Sequence, residues 1–99
     1  MLLGLVAAND VGAIDFTAKT VMEKMDNTER YAFIAGVVEG LAYARYLNGD
    51  KDAEGMKCVY DWFYEGDKTI ERIYAAFGEF GDYPPAAVVN ALTKKVCGD

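Results

Sequence analysis

Asp26-Asn-Thr-Glu-Arg-Tyr-Ala-Phe-Ile-Ala-Gly-Val-Val-Glu-Gly-Leu-Ala-Tyr-Ala-Arg-Tyr-Leu-Asn-Gly49 is the stretch that decides the fold. It opens on a capping box, an acceptor at Asp26 with Glu29 three residues later. It closes on Asn48-Gly49, a dipeptide suited to a left-handed helix stop. Apolar residues recur between them at helical spacing, which predicts a helix to about residue 47. Ile34, Val38, Leu41 and Ala42 make its core stripe. Ala32, Gly36, Gly40 and Ala44 recur every four residues as a ridge almost without side chains. Glycine in a helix interior costs about 1 kcal/mol against alanine. A close crossing is therefore expected on this ridge: another helix of the same chain or, failing that, a dimer contact or docking groove.

The flanking sequence obeys the same grammar. Thr17 is the expected N-cap of a short helix to about residue 25, with Phe16 as a staple residue and Ala18, Val21, Met22 and Met25 on its apolar side. A third helix, opened by Asp50 or Asp52, is expected to reach Tyr64 and stop at Gly66. Asp67 is the expected cap of a fourth over residues 68–80, ending at Gly81. Pro84 and Pro85 open a fifth, since proline is tolerated in a first turn, and it closes near Val96 before Gly98. No hairpin dipeptide flanked by alternating apolar residues occurs, so strands are not expected. The fold class is all-α: a compact bundle of four to five short helices, one helical domain over residues 15–99.

Residues 1–14 read differently. Met1–Ala8 is apolar and resembles the tail of a secretory signal, with Val6 and Ala8 at the −3 and −1 positions, although the first positive charge is Lys19. Residues 9–14 contain Gly12, show no period and read as a flexible arm. Export to the periplasm or outside the cell would place Cys58 and Cys97 where disulfides persist, and an even pair is then most simply one bridge. Redox catalysis asks for Cys-x-x-Cys and metal sites for more ligands at short spacing; neither occurs.

Composition narrows the function classes. The 99 residues carry a net charge of −6 and no histidine, with 53% hydrophobic residues. An acidic surface repels phosphate, and Lys94-Lys95 is the densest cationic run, which argues against nucleic acid. No apolar run reaches the ~20 residues of a membrane span. Without histidine, the commonest general base, nucleophile triads and the usual zinc ligands are missing. The acidic pairs Glu65/Asp67 and Glu79/Asp82 fall at helix ends, where carboxylates ordinarily cap or sit in water. No catalytic, metal or cofactor site is expected, and the enzyme reading is poor. Val59, Trp62, Phe63, Tyr74 and Phe77 are expected in the core, Trp62 and Phe77 above all, while Tyr60, Tyr64 and Tyr83 cannot all point inward, and tyrosine favours binding surfaces.

Tyr31-Ala-Phe-Ile-Ala-Gly-Val-Val-Glu-Gly-Leu41, a cysteine opening a helix, Pro85-Ala-Ala-Val-Val-Asn-Ala-Leu92 and a closing Cys97 together resemble the Rap/Tai group of small periplasmic proteins. That group includes immunity proteins against type VI secretion amidase effectors. The likeness covers residues 28–98. Glu39 stands about where the group has aspartate, Val59-Tyr60 replaces its Cys-x-Pro continuation, and its histidine-proline segment is missing. The resemblance implies an all-α, disulfide-bonded exported protein, often dimeric, that acts by binding another protein. A vaguer likeness, in size, cysteine count and a glycine-spaced helix, is to HdeA-type acid-stress chaperones.

Two functions stand as expectations. One is an immunity-type inhibitor that occludes a partner enzyme through the turn holding Glu79, Asp82 and Tyr83, whose glycine and prolines restrict its freedom. The other is an acid-activated holdase. Protonating 16 carboxylates would take the chain from −6 to +10, and without histidine any such switch would lie near carboxylate values, about 4.

Overall fold

The computed structural model describes residues 15–99; the expected leader and arm, residues 1–14, lie outside them. Five helices succeed one another: α1 (Ala18–Lys24), α2 (Asn27–Asn48), α3 (Glu54–Tyr60), α4 (Thr69–Glu79) and α5 (Pro85–Cys97). α3 runs without a break into a π-helical turn, Asp61–Glu65. There is no strand among the described residues.

The best local signals hold. The Thr17 side chain accepts from the Thr20 amide, and Thr20 returns the bond to the Thr17 amide. Asp26 and Glu29 close the reciprocal pair at α2, at 2.8 and 3.0 Å. Pro85 stands in the first turn of α5. Two other boundaries differ from expectation, and a third falls on one of the two residues expected. Gly49 has φ −98°, and the left-handed residues are Asp50 and Lys51, so the chain turns one step later than Asn48-Gly49 suggests. Asp52, rather than Asp50, reaches the Glu54 amide at 3.0 Å. Asp67 does not cap α4: left-handed Lys68 is its N-cap residue and makes no side-chain cap bond. The Thr69 hydroxyl instead donates to the Trp62 carbonyl at 2.7 Å, joining the start of α4 to the π turn.

That turn interrupts the α-helical repeat within the aromatic run. One extra residue in the helical repeat rotates the residues after it about the axis. Phe63 is buried as expected, and Trp62, also expected in the core, is half-buried and packs against it. Phe63 and Phe77 join Val21, Ile34, Val38, Val59, Ile73 and Val89 in one apolar cluster to which every helix contributes. Leu41 packs at its edge.

α1, only seven residues long, is held at both ends. The Ala18 and Lys19 amides donate to the carbonyls of Tyr83 and Gly81, at 2.9 and 3.0 Å. At its other end the Arg30 guanidinium donates to the carbonyls of Met22 and Met25, at 3.0 and 2.8 Å. The same guanidinium stands 5.4 Å from the centre of the Tyr74 ring.

Cys58 and Cys97 form the expected disulfide, tying α3 to the end of α5 across 39 residues, with Cα atoms 6.0 Å apart. Beside it the Arg45 guanidinium donates to the Gly98 carbonyl. Thiol titration of the denatured, unreduced protein should find no free thiol. Reduction should lower stability by about 4 kcal/mol on the chain-entropy account of a loop this long, measured as a fall in the urea midpoint with an added reductant. Two titratable thiols would sink the bridge.

Candidate functional site

The turn between α4 and α5 gathers the expected binding residues. Phe80 ends α4, the Tyr83 amide donates to the Phe80 carbonyl at 3.1 Å, and Pro84-Pro85 starts the next helix. Gly81 sits at a close approach of the turn to α1. A Cβ there would stand 3.2 Å from Cβ of Lys19, where the turn lies against α1. The first two amides of α1 have no partner inside their own helix. The carbonyls of Gly81 and Tyr83 supply those partners, so the turn and α1 satisfy each other.

The fixed backbone carries exposed side chains. Tyr83 is 58% exposed and Phe80 46%; their rings meet edge to face with centres 6.1 Å apart. Glu79, Asp82 and Tyr83, three residues expected at one binding site, line one open groove of about 450 Å³ between the turn and α1. Lys19 and Glu23 contribute from the α1 side. Three carboxylates against one ammonium make this face acidic, suited to a cationic surface.

On the other side of Tyr83 lies an apolar groove of about 420 Å³ between α4 and α5, walled by Ala76 and Phe80 on one side and Ala87, Ala91 and Leu92 on the other. The alanines that floor it read in sequence as ordinary helix formers, so sequence reasoning had no signal for it.

The small-residue ridge of α2 is elsewhere and is not crossed by any of the described residues. Ala32, Gly36 and Gly40 are exposed and Ala44 half-buried. A Cβ at Gly36 or Gly40 would meet nothing within 4 Å. The expectation that another helix of this chain packs there is therefore corrected for the described residues. The physical reason is phase. Ile34, Val38 and Ala42 are fully buried, and the ridge lies two residues, about 200° of helical rotation, from that stripe. It is the opposite face rather than a neighbouring one.

A second feature is an aromatic–carboxylate cluster on α2, α3 and the π turn. The Tyr60 and Tyr64 hydroxyls donate to the two oxygens of Glu39, at 2.9 and 3.0 Å. Tyr64 meets Phe63 edge to face, and Phe63 lies against Tyr31. The hydrogen bond to Glu39 raises the Tyr60 phenol above its ordinary value near 10, with desolvation and the carboxylate charge adding to it. For Tyr64 desolvation is the larger cause, ahead of the bond to Glu39. The i, i+4 spacing of Tyr60 and Tyr64 was the available sequence signal. Among the described residues no group of three or more His, Cys, Asp or Glu is placed to hold a metal ion, and no helix is long and apolar enough to cross a membrane.

Comparison with protein families, curated proteins and solved structures finds no match to this chain.

The exposed ridge and the tyrosine cluster each make a measurable demand. Gly40→Ala should stabilise the protein by about 1 kcal/mol, because the helix gains propensity and the methyl meets no neighbour. Thermal melting would read this as a rise of about 4–8 °C; a fall would mean that something covers the ridge. The tyrosines give a pH dependence. Their folded-state phenols ionise above the unfolded value, so the stability they contribute is complete below pH ~10 and is lost as pH rises through the folded values. Ultraviolet titration of Glu39→Gln should show earlier ionisation than the parent, more so for Tyr60 than for Tyr64. An unchanged alkaline titration would remove Glu39 as the cause.

Proposed function

We propose that this protein is exported and works without catalysis, by binding another protein through the Glu79–Pro85 turn, in the manner of an immunity-type inhibitor that occludes a partner enzyme. The observation that carries the reading is a highly exposed tyrosine on a backbone already fixed: Tyr83 is 58% exposed while its carbonyl is bonded to the Ala18 amide. Occlusion needs an anchor whose ordering cost is met before binding. Aromatic anchors dominate binding energies where they enter a desolvated pocket. Glu79 and Asp82 beside it suit a basic cleft. The disulfide is compatible with an oxidising compartment, and the resemblance of residues 28–98 to the Rap/Tai group points the same way.

A second reading, an acid-activated periplasmic holdase that is dimeric at neutral pH, draws support from the outward face of α2. There Ala32, Gly36 and Gly40 offer an uncharged surface to a second copy or a client.

Pull-down with the tagged protein from a periplasmic extract, then calorimetry on the partner found, tests the first reading. Tyr83→Ala should weaken that binding by about 2 kcal/mol or more and leave the helical circular dichroism unchanged. Unaltered affinity in Tyr83→Ala combined with Asp82→Ala would remove the turn from the mechanism. Reversible gain of bis-ANS fluorescence between pH 7 and 2, together with suppression of client aggregation, would favour the holdase instead.

A further inference from the structure

Glu39 is the only charged residue of α2 between Arg30 and Arg45, and among the described residues its carboxylate forms no ion pair. The two arginines are turned to backbone carbonyls. Lys57, on the neighbouring α3, is paired with Asp61 at 2.8 Å. What surrounds Glu39 instead is phenolic oxygen. Tyr60 donates to Oε1 at 2.9 Å and Tyr64 to Oε2 at 3.0 Å, so α2, α3 and the π turn bring three oxygen-bearing side chains to one point. A third phenol, Tyr31, adjoins them: its ring lies 5.7 Å from that of Phe63, and its charge bears on the Tyr64 hydroxyl. Solvent reaches the cluster, since Tyr31 is 45% and Tyr64 48% exposed.

We propose that Glu39, Tyr60 and Tyr64 form a site for a hard trivalent cation, ferric iron, held by oxygen alone. The donor set argues the class. Carboxylate and phenolate are hard ligands, and the cluster holds neither thiolate nor imidazole, the donors that select softer metals. Phenolate also serves as an axial ligand of haem iron in other proteins. The spacing agrees. Around a small octahedral cation with metal–oxygen distances of about 2.0–2.1 Å, adjacent donor oxygens stand about 2.9 Å apart. The two oxygen pairs here are 2.9 and 3.0 Å apart, so a cation can take the place of the two shared protons with little movement. The exchange balances: two phenolic O–H bonds break, two metal–oxygen bonds form, two protons pass to solvent, and the iron stays ferric. Because Glu39 holds both phenols protonated above their ordinary value, only a strongly polarising cation displaces those protons. Water or a small chelating anion completes the coordination from the open side. The cluster shares no residue with the Glu79–Pro85 turn, so cation binding is independent of partner binding.

The test is titration of the full chain with ferric citrate at neutral pH, followed in the visible spectrum. A saturable phenolate-to-iron charge-transfer band is expected, with tyrosinate modes in the resonance Raman spectrum and release of protons. Tyr60→Phe and Tyr64→Phe keep both rings in place. Each should weaken binding by at least about tenfold, the least that loss of even an outer partner of a metal ligand costs. The double variant should show no band, with its circular dichroism unchanged. Tyr43→Phe removes an exposed phenol elsewhere on α2 and should leave the band as it is. Absence of the band or of the tyrosinate modes in the unmutated protein would overturn the proposal. So would a band that survives in the double variant, or one that falls equally in Tyr43→Phe, since either marks adventitious iron only.

Discussion

The hydrogen bonds from the Ala18 and Lys19 amides to the carbonyls of Tyr83 and Gly81 are the contact on which the rest of this structure depends. A seven-residue helix is far below the length at which a helix persists alone in water. α1 exists because its first amides find carbonyls across the fold and its last carbonyls find Arg30. The dependence is mutual. The same bonds tie the α4–α5 turn to α1, and Gly81 sits where the two segments approach closely. Both grooves beside Tyr83 inherit their shape from this contact.

α2 meets the opposite demand, presenting two uncharged faces. One holds the core through Ile34, Val38 and Ala42. The other shows Ala32, Gly36 and Gly40 to solvent. Between Arg30 and Arg45 the only charged residue is Glu39, and both its oxygens accept phenolic hydrogen bonds. The two arginines are likewise engaged with backbone carbonyls. A protein with 26% charged residues thus keeps free charge away from one long helical face. Glycine there costs helix stability that packing within the described chain does not return.

Local chemistry was legible in the sequence, and non-local satisfaction was not. Thr17, the Asp26–Glu29 pair and Pro85 announce helix starts because the partner atoms lie within three residues. The start of α4 defeats the same logic: Asp67 has the right side chain, but Thr69 bonds to Trp62 across a turn whose π geometry has no periodic signature. The α2 ridge departs from expectation for a different reason. Its two-residue offset from Ile34, Val38 and Ala42 is present in the sequence and already implies the far face. The Glu79–Tyr83 turn was legible as a candidate from its glycine, tyrosine and prolines. The clamp that stiffens it joins backbone groups far apart in the chain, and backbone carbonyls leave no residue-type signal.

Rigidity at α5 comes from both of its ends. Its start is set by the Pro84-Pro85 pair and the clamped turn; its finish is tied by Cys97 to Cys58 and by the Arg45 bond to the Gly98 carbonyl. These contacts tether the helix at both ends beside α4. The disulfide therefore acts on two links of the chain at once. It limits the unfolded ensemble, and it holds one wall of the α4–α5 groove in place. Reduction should accordingly loosen that wall even under conditions where the remaining core keeps the chain folded.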